Sequence, residues 1–158
     1  MNVTDMLRSF CQAVEAGDGA AFAALFTPDG VYHDVFYGTF AGRERIAAMI
    51  TGWFHRDATD FRWDMHQPVF DGTTLYARYV FSFRSKLPDA AGRRAMFEGV
   101  SIMTISDGLI AAYREVADTT PGLVDLGFAP ERIARLAARH GSALKARPDA
   151  SRHLDASA

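Results

Sequence analysis

The chain has 158 residues, of which 49% are hydrophobic and 12% aromatic, and its formal net charge is -2. This length and composition fit one globular domain with a sizeable core, and the near-neutral charge argues against nucleic acid as a partner. The single cysteine, Cys11, excludes an internal disulfide. The sequence begins without the pattern of a signal peptide, and no apolar run reaches the roughly 18 residues of a membrane span. We therefore expect a cytoplasmic protein with no membrane partner.

Apolar residues at helical spacing predict three helices in the first third of the chain. The first helix ends at Gly17, Asp18 caps the second, and the third carries an apolar face that reaches Phe54. Between the second and third helices, the cluster Thr27-Pro28-Asp29-Gly30 predicts a turn, because proline presets one backbone dihedral and glycine permits another. Residues 31–36 then predict a strand.

The apolar period changes from helical to two after Asp60, which predicts strands in the second half of the chain. Pro68 predicts an edge strand or a bulge, and the pairs Asp71-Gly72 and Asp107-Gly108 predict hairpin turns. Antiparallel pairing is therefore expected for the predicted strands, which begin near Phe61 and then span 75–84, 93–105 and 109–117.

These elements predict a single α+β domain over residues 1–140, with N-terminal helices packed in a strongly curved, mostly antiparallel sheet. The last predicted helix covers residues 131–140, and residues 141–158 lack an apolar stripe, so we expect a loosely ordered tail. Apolar residues on both faces of strand 75–84 favour burial on both sides. We expect a second copy of the chain to cover the outer face, which gives a homodimer.

Polar side chains interrupt strand 31–36, where Tyr32 and Asp34 share one face by alternation. The same alternation puts Tyr76 and Arg78 on one face of their strand, and Tyr113 and Glu115 on one face of the last strand. If these faces meet in a cavity, Arg78 pairs with Glu115, and the carboxyl group of Asp34 lies among aromatic rings. Burial raises the pKa of such a carboxyl group and a nearby arginine lowers it, so the balance decides whether Asp34 acts as a base or as an acid.

Each of these residues also has a purely structural interpretation. A buried pair of Arg78 and Glu115 can simply hold the sheet together, and Asp118 can be the N-cap of the helix that follows it. The rings of Phe36 and Trp53 can belong to the core. No metal site is expected, because no histidine stands at ligand spacing from a cysteine or a carboxylate cluster.

Four segments of the sequence resemble the nuclear transport factor 2-like superfamily, namely Ala-Gly-Asp at 16–18, Leu-Phe-Thr-Pro-Asp-Gly-Val at 25–31, Phe-Ala-Gly-Arg-Glu-Arg-Ile at 40–46 and Asp-Gly-Leu-Ile at 107–110. Asp118 followed by Leu126-Gly127 is similar to the SnoaL-like, polyketide cyclase-like branch. The resemblance implies a cystatin-like, cone-shaped fold with a small-molecule pocket. It leaves the function open, because isomerases, hydrolases, cyclases and non-catalytic proteins share this fold.

The resemblance also suggests roles for single residues. It places Asp34 at the general base of the ketosteroid isomerases, whose oxyanion-hole positions here hold Phe10 and Ser101, and this disfavours steroid isomerisation. Compared with limonene epoxide hydrolases, the positions of the water-binding pair hold Tyr32 and Asp34, with Arg78 and Glu115 beside them, and Val80 replaces one acidic partner. In SnoaL-like cyclases an acidic residue late in the last strand exchanges protons, and Glu115 or Asp118 can take its place.

Two hypotheses of different class follow. The first is a SnoaL-like enzyme of cyclase, isomerase or hydrolase type that needs no cofactor and no metal. Its catalytic residues would be Asp34, Tyr32, Arg78 and Glu115, and its substrate-binding residues would be Phe10, Phe36, Trp53, Tyr76, Ser101, Tyr113 and Asp118. The second is a non-catalytic protein that binds an apolar small molecule in the same pocket. A pocket with converging polar groups favours the enzyme, and a sealed apolar void favours the binding protein.

Overall fold

A computed structural model describes residues 2–154 and divides the chain into two compact units, one up to Leu126 and one from Gly127. The first unit contains, in chain order, α1 (Val3–Ala16), α2 (Gly19–Ala24), β1 (Phe26–Asp34), β2 (Gly38–Ala41), α3 (Arg43–Met49), a π-helical turn (Ile50–Phe54), α4 (His55–Asp57), β3 (Ala58–Phe70), β4 (Thr74–Ser85), a 3-10 turn (Pro88–Ala90), β5 (Arg94–Ser106), β6 (Leu109–Asp118) and α5 (Thr120–Asp125). The second unit contains α6 (Pro130–Lys145) and a 3-10 helix (Pro148–His153).

The six strands form one curled sheet in the order β2-β1-β6-β5-β4-β3. Neighbouring strands are antiparallel, except that β1 and β6 run parallel. The predicted α+β class and the mostly antiparallel sheet are therefore confirmed. The parallel pair has a direct consequence for the site, because it places the end of β1 beside the end of β6.

Both predicted hairpin turns are present. At the first turn, Oδ1 of Asp71 accepts hydrogen bonds from the backbone N–H groups of Thr73 and Thr74. At the second turn, Asp107 and Gly108 have φ angles of 50° and 80°, the combination that a two-residue type I′ hairpin requires. The prediction for Pro68 is also confirmed, because β3 is an edge strand whose register shifts between His66 and Val69.

Three local features differ from the sequence prediction. Residues 27–30 form a bulge inside β1 instead of a separate turn, since the register to β6 moves from Phe26–Ile110 directly to Val31–Ala112. The short strand β2, which pairs with β1, is absent from the prediction. The third helix ends as an α-helix at Met49 and continues as a wider π-helical turn.

The second unit has more regular structure than the sequence predicted. Its helix α6 passes the predicted end at residue 140 and ends at Lys145, and a 3-10 helix, Pro148–His153, follows it. Loose order of the tail stays a prediction. Residues 155–158 of the predicted tail lie outside the described part of the chain.

The core of the first unit lies where α1, α2 and α3 pack near the sheet. Its fully buried aromatic residues include Phe10, Phe22, Phe26, Tyr32 and Tyr113. Helices α2 and α3 approach closely at Gly19, where a Cβ atom would lie 2.4 Å from the carbonyl oxygen of Ala47. The helices and the strands together therefore surround a strongly aromatic interior, and the site lies on its β1–β6–β5–β4 side.

Candidate active site

Glu115, on β6, is the centre of a hydrogen-bonded cluster inside the sheet. Its Oε2 atom accepts hydrogen bonds from the hydroxyl groups of Tyr79, at 2.5 Å, and Tyr113, at 3.0 Å. Its other oxygen, Oε1, accepts no hydrogen bond from residues 2–154. One oxygen of this partly buried carboxyl group is therefore held in place, and the other keeps its lone pairs available.

Burial sets the protonation state of Glu115. The pKa of Glu115 rises from 4.5 to about 7: burial is the largest cause, the nearby charge of Asp34 adds to the rise, and the hydrogen bonds from Tyr79 and Tyr113 partly oppose it. The pKa values of both tyrosines are also raised, first by burial and then by the charge of Glu115, so their hydroxyl groups keep their protons and remain donors. A carboxyl group with a pKa near neutrality can both take up and release a proton at physiological pH.

The register of the sheet brings Tyr79 to Glu115. Tyr79 pairs with Gly99 on β5, and a Cβ atom at Gly99 would lie 2.7 Å from the Tyr79 hydroxyl oxygen and 2.6 Å from the carbonyl oxygen of Val116. Only a glycine leaves room there for the phenol to pass across β5. The hydrogen bond from Tyr79 to Glu115 therefore depends on the absence of a side chain at Gly99, which lies on the strand between them.

Asp34 lies at the end of β1, one strand away from Glu115. Because Tyr32 pairs with Tyr113 in parallel register, Asp34 is level with Glu115 on the neighbouring strand. Its Oδ1 atom accepts hydrogen bonds from the N–H groups of Phe36 and Tyr37, both at 2.8 Å, which shape the turn into β2. Burial raises the pKa of Asp34, and these two hydrogen bonds oppose the rise.

Stacked aromatic rings form the floor of the cluster. Tyr32 and Tyr113 stack with their ring centroids 4.3 Å apart, and Tyr113 also stacks on Phe10 at 5.3 Å. All three side chains are fully buried. The structure therefore brings together five of the predicted site residues, namely Phe10, Tyr32, Asp34, Tyr113 and Glu115.

The predicted pairing of Arg78 with Glu115 is wrong. Arg78 and Tyr76 project from the outer face of β4, where Arg78 forms an exposed ion pair with Glu98 at 3.4 Å and Tyr76 is 42% exposed. The two residues do share a face, as alternation predicts, but the inward face of β4 carries Ala77 and Tyr79 instead. Tyr79 takes the place beside Glu115 that the sequence assigned to Arg78.

Four other predicted residues lie around the cluster or away from it. Ser101 is fully buried, but its hydroxyl group donates to the carbonyl oxygen of Ala77. Phe36 is partly buried and packs edge-on against Phe97. Trp53 is 39% exposed on the π-helical turn, under the guanidinium group of Arg56. Asp118 is exposed and accepts a hydrogen bond from the N–H of Thr120. The interpretation of Asp118 as an N-cap is wrong, because the N-cap of α5 is Thr119.

Sequence reasoning missed Tyr79 as a site residue. Tyr79 stands in an apolar alternating run, where an aromatic residue suggests packing alone. A usable signal was the charge of Arg78, since a charged residue on a strand normally marks the outer face and so identifies Tyr79 as inward. The resemblance to epoxide hydrolases pointed to the opposite assignment.

A separate groove of about 400 Å³ lies between α1 and β3. It is lined by Thr4, Leu7, Arg8, Cys11, Gln12, Glu15, Trp63, Asp64, Met65, His66 and Pro68. None of the residues that contact Glu115 is in this set. Burial raises the pKa of the Cys11 thiol to about 12, which keeps it protonated and unreactive at neutral pH. Trp63 is the residue that borders both this groove and the aromatic interior.

Within the described part of the chain, no cluster of three or more histidine, cysteine or acidic residues could hold a metal ion. Over the same residues, every helix is too short or too polar to cross a membrane.

We predict that Glu115 makes the protein less stable as the pH rises. Its pKa is about 7 in the folded chain and ordinarily 4.5, so folding favours the protonated form. Relative to Glu115→Gln, the free energy of unfolding should be constant below pH 4.5, fall by roughly 3 kcal/mol up to pH 7, and be constant above it. Urea unfolding of both proteins across this range measures the difference. If the difference in unfolding free energy between the two proteins does not change with pH, the pKa of Glu115 is not raised in the folded chain.

We further predict that Tyr79→Phe raises the pKa of Glu115 above its value in the unmodified chain, because the lost hydrogen bond favours the ionised carboxylate. Tyr113→Phe is the matched control and should raise the pKa less, since its hydrogen bond is 3.0 Å long against 2.5 Å. Titration of the Glu115 side-chain carboxyl carbon by NMR gives both values. Equal shifts, or a shift downwards, would show that Tyr79 is not the dominant donor.

Comparison with known proteins relates this arrangement to a family. The SnoaL-like domain model matches residues 7–113. Among solved structures, the chain is similar to TsrD from Streptomyces laurentii, with 25% identity and a TM-score of 0.67 over 79% of this chain and 94% of that chain. It is also similar to a ketosteroid isomerase-like hypothetical protein from Catenulispora acidiphila in complex with trimethylamine, with 16% identity and a TM-score of 0.72 over 80% and 95% of the two chains.

A third similar structure is IdmH from Streptomyces antibioticus, described as a putative polyketide cyclase, with 18% identity and a TM-score of 0.65 over 81% of this chain and 100% of that chain. No curated protein sequence matches significantly. The family match covers more than half of the chain. The chain therefore belongs to the SnoaL-like family, within the nuclear transport factor 2-like fold.

Proposed function

We propose that this protein is a SnoaL-like acid–base enzyme that moves a proton at the carbon next to a carbonyl group, with Glu115 as the group that accepts and returns the proton. One observation carries the proposal: Glu115 combines a pKa of about 7 with one oxygen fixed by two tyrosines and one oxygen without a hydrogen bond from residues 2–154. Such a carboxyl group can take up and release a proton near neutral pH through its free oxygen.

The other residues of the cluster act on Glu115. Tyr79 and Tyr113 hold Oε2, so that Oε1 faces the proton to be moved. The negative charge of Asp34 keeps the proton affinity of Glu115 high. Asp34 itself is the weaker candidate for proton transfer, because two backbone N–H groups already occupy its Oδ1 atom. The stacked rings of Tyr32 and Tyr113 are fully buried and make the surroundings of Glu115 apolar, which suits an apolar substrate.

The reaction step follows from this arrangement. The Glu115 carboxylate takes the proton from the α-carbon, the C–H electron pair forms a carbon–carbon double bond, and the carbonyl oxygen receives the negative charge. The enolate then takes a proton back at the same or another carbon, or its carbon attacks a second carbonyl group and closes a ring. The last outcome is the chemistry that the description of IdmH as a putative polyketide cyclase suggests.

Hydrogen–deuterium exchange tests the proposal without knowledge of the natural substrate. In D₂O, the protein should accelerate exchange of the protons next to the carbonyl group in at least one member of a panel of hydrophobic ketones that includes 2-tetralone. Glu115→Gln should lower the enzymatic rate at least about 100-fold, the usual contribution of a positioned general base. The exposed Glu44→Gln is the matched control and should retain the rate.

The pH dependence gives a second measurement in the same assay. Because the reactive form is the carboxylate, the rate should rise with pH up to about 7 and then level off. Exchange that does not depend on Glu115 would contradict the proposal. Ligands that bind without any exchange across the panel would instead support the alternative function, a non-catalytic binding protein for apolar small molecules.

We also propose that the outer face of the sheet pairs with a second copy of the chain. Val100 and Val116 are neighbours on β5 and β6, and they are 38% and 61% exposed. Beside them, Arg78 and Glu98 place one positive and one negative charge on the same face. A two-fold axis would bring each charge near its opposite in the partner, which makes the face self-complementary.

Val116→Asp should weaken this dimer, because the carboxylate would be buried without a partner in the interface. Analytical ultracentrifugation should give a dimer for the unmodified chain and a larger monomer fraction for the variant at equal concentration. Val124→Asp, at an equally exposed valine on helix α5 and off the sheet, is the control and should leave the dimer intact. A monomeric unmodified chain at micromolar concentration would rule out the proposed dimer.

A further inference from the structure

Three arginine side chains converge on one carboxylate at an end of the sheet. Asp60 lies in a bulge of β3, where the register to β4 shifts between Thr59 and Arg62. Its Oδ2 atom accepts hydrogen bonds from Nε of Arg84, at 3.2 Å, and from Nη2 of Arg94. Its Oδ1 atom lies 3.9 Å from Nε of Arg62. We call these four residues, which come from three neighbouring strands, the Asp60 cluster.

The charges of the Asp60 cluster do not balance. Among residues 2–154, no other carboxylate lies within 4.0 Å of the three guanidinium groups, so three positive charges and one negative charge leave a net charge of +2. In addition, Arg84 and Arg94 stand directly opposite each other on β4 and β5, an arrangement that is destabilising for like charges. The cluster therefore attracts anions.

A structural role accounts for only one of the three arginines. Arg94 is partly buried, and its Nη1 atom donates to Oγ of Ser82 at 2.8 Å, so this side chain ties β5 to β4 and, through Asp60, to β3. Arg62 and Arg84 are exposed, and exposed ion pairs of this kind add little stability. The fold does not need the second and third positive charges.

Hydrogen-bond donors of the cluster remain free for a ligand. The guanidinium group of Arg62, the Nη2 atom of Arg84 and the Nε atom of Arg94 have no acceptor within the described part of the chain. Arg84 shares the outer face of β4 with Arg78 by alternation, six residues further along the strand, which is about 20 Å. The free donors therefore lie on the face of the sheet opposite to Tyr79 and Glu115.

We propose that the Asp60 cluster binds a phosphate group, either of a small phosphorylated molecule or of free inorganic phosphate. A phosphate monoester carries a charge of about −1.5 to −2 at pH 7 and three acceptor oxygens, which match the net charge and the free donors of the cluster. Guanidinium groups recognise phosphate with strong, charge-assisted hydrogen bonds. Because this face of the sheet does not carry Glu115, the inference is independent of the proposed function.

NMR titration of ¹⁵N-labelled protein with inorganic phosphate tests the site directly. The Nε–H signals of Arg62, Arg84 and Arg94, assigned by single substitutions to lysine, should shift on addition of phosphate. Sodium chloride at equal ionic strength should not shift them. If these signals do not move, or if they move equally with sodium chloride, the inference is overturned.

Arg62→Gln separates binding from stability. It should weaken phosphate binding about 10-fold, as the loss of one charge-assisted hydrogen bond does. Its melting temperature without phosphate should equal that of the unmodified chain, because the guanidinium group of Arg62 donates no hydrogen bond within residues 2–154. Arg78→Gln is the matched control, since Arg78 is an exposed arginine on the same face, and it should keep the phosphate affinity. Equal affinities of Arg62→Gln and Arg78→Gln would show that the cluster is not the site.

A pair of organic ligands identifies the chemistry that the cluster recognises. Phenyl phosphate and phenyl sulfate share a ring and a tetrahedral group, but near pH 7.5 the sulfate carries about one negative charge less. Calorimetric titration should give about 10-fold tighter binding of phenyl phosphate. Equal affinities would mean that the cluster does not select phosphate. Tighter binding of phenyl phosphate than of inorganic phosphate would indicate a phosphorylated organic ligand, and equal binding would indicate free phosphate.

Discussion

The hydrogen bonds from Tyr79 and Tyr113 to a single oxygen of Glu115 are the interaction on which the candidate site depends. They hold a desolvated carboxyl group in one orientation, and they keep its pKa from rising further than about 7. Without them, burial would leave the group protonated and unable to accept a proton at neutral pH. Without the burial, the carboxylate would have an ordinary pKa and little proton affinity. The pKa of Glu115 is set by the balance between burial and these two hydrogen bonds.

The sheet supplies that balance through its register. Three neighbouring strands contribute Tyr79, Gly99 and Glu115, and the absent side chain of Gly99 lets the phenol of Tyr79 cross to the carboxylate. The parallel pairing of β1 with β6 then brings Asp34 level with Glu115. The charge of Asp34 disfavours ionisation of Glu115. This repulsion lowers the stability of the fold at neutral pH, but it raises the proton affinity of Glu115.

Aromatic residues serve two purposes in this molecule. Phe10, Tyr32 and Tyr113 are core residues by burial, and the hydroxyl group of Tyr113 also holds the carboxyl group of Glu115. Trp63 extends the same aromatic cluster, and its indole Nε1 has no hydrogen-bond partner among residues 2–154. Because the core and the candidate site share these side chains, substitutions that alter the site also alter stability.

The sequence by itself determined the α+β class, both hairpins, the bulged edge strand at Pro68, and the pairs of residues that share a face, because turn chemistry and side-chain alternation are local properties. It also proposed Asp34, Tyr32, Tyr113 and Glu115 as site residues, and the structure brings these four together. The prediction chose the wrong face of β4, because aromatic residues stand on both faces, at Tyr76 and Tyr79, and the resemblance to epoxide hydrolases outweighed the charge of Arg78. Only the tertiary structure decided that, since the curl of the sheet and the helices packed near it fix which face leaves water. For the same reason, the partner of Glu115 is Tyr79 and not Arg78.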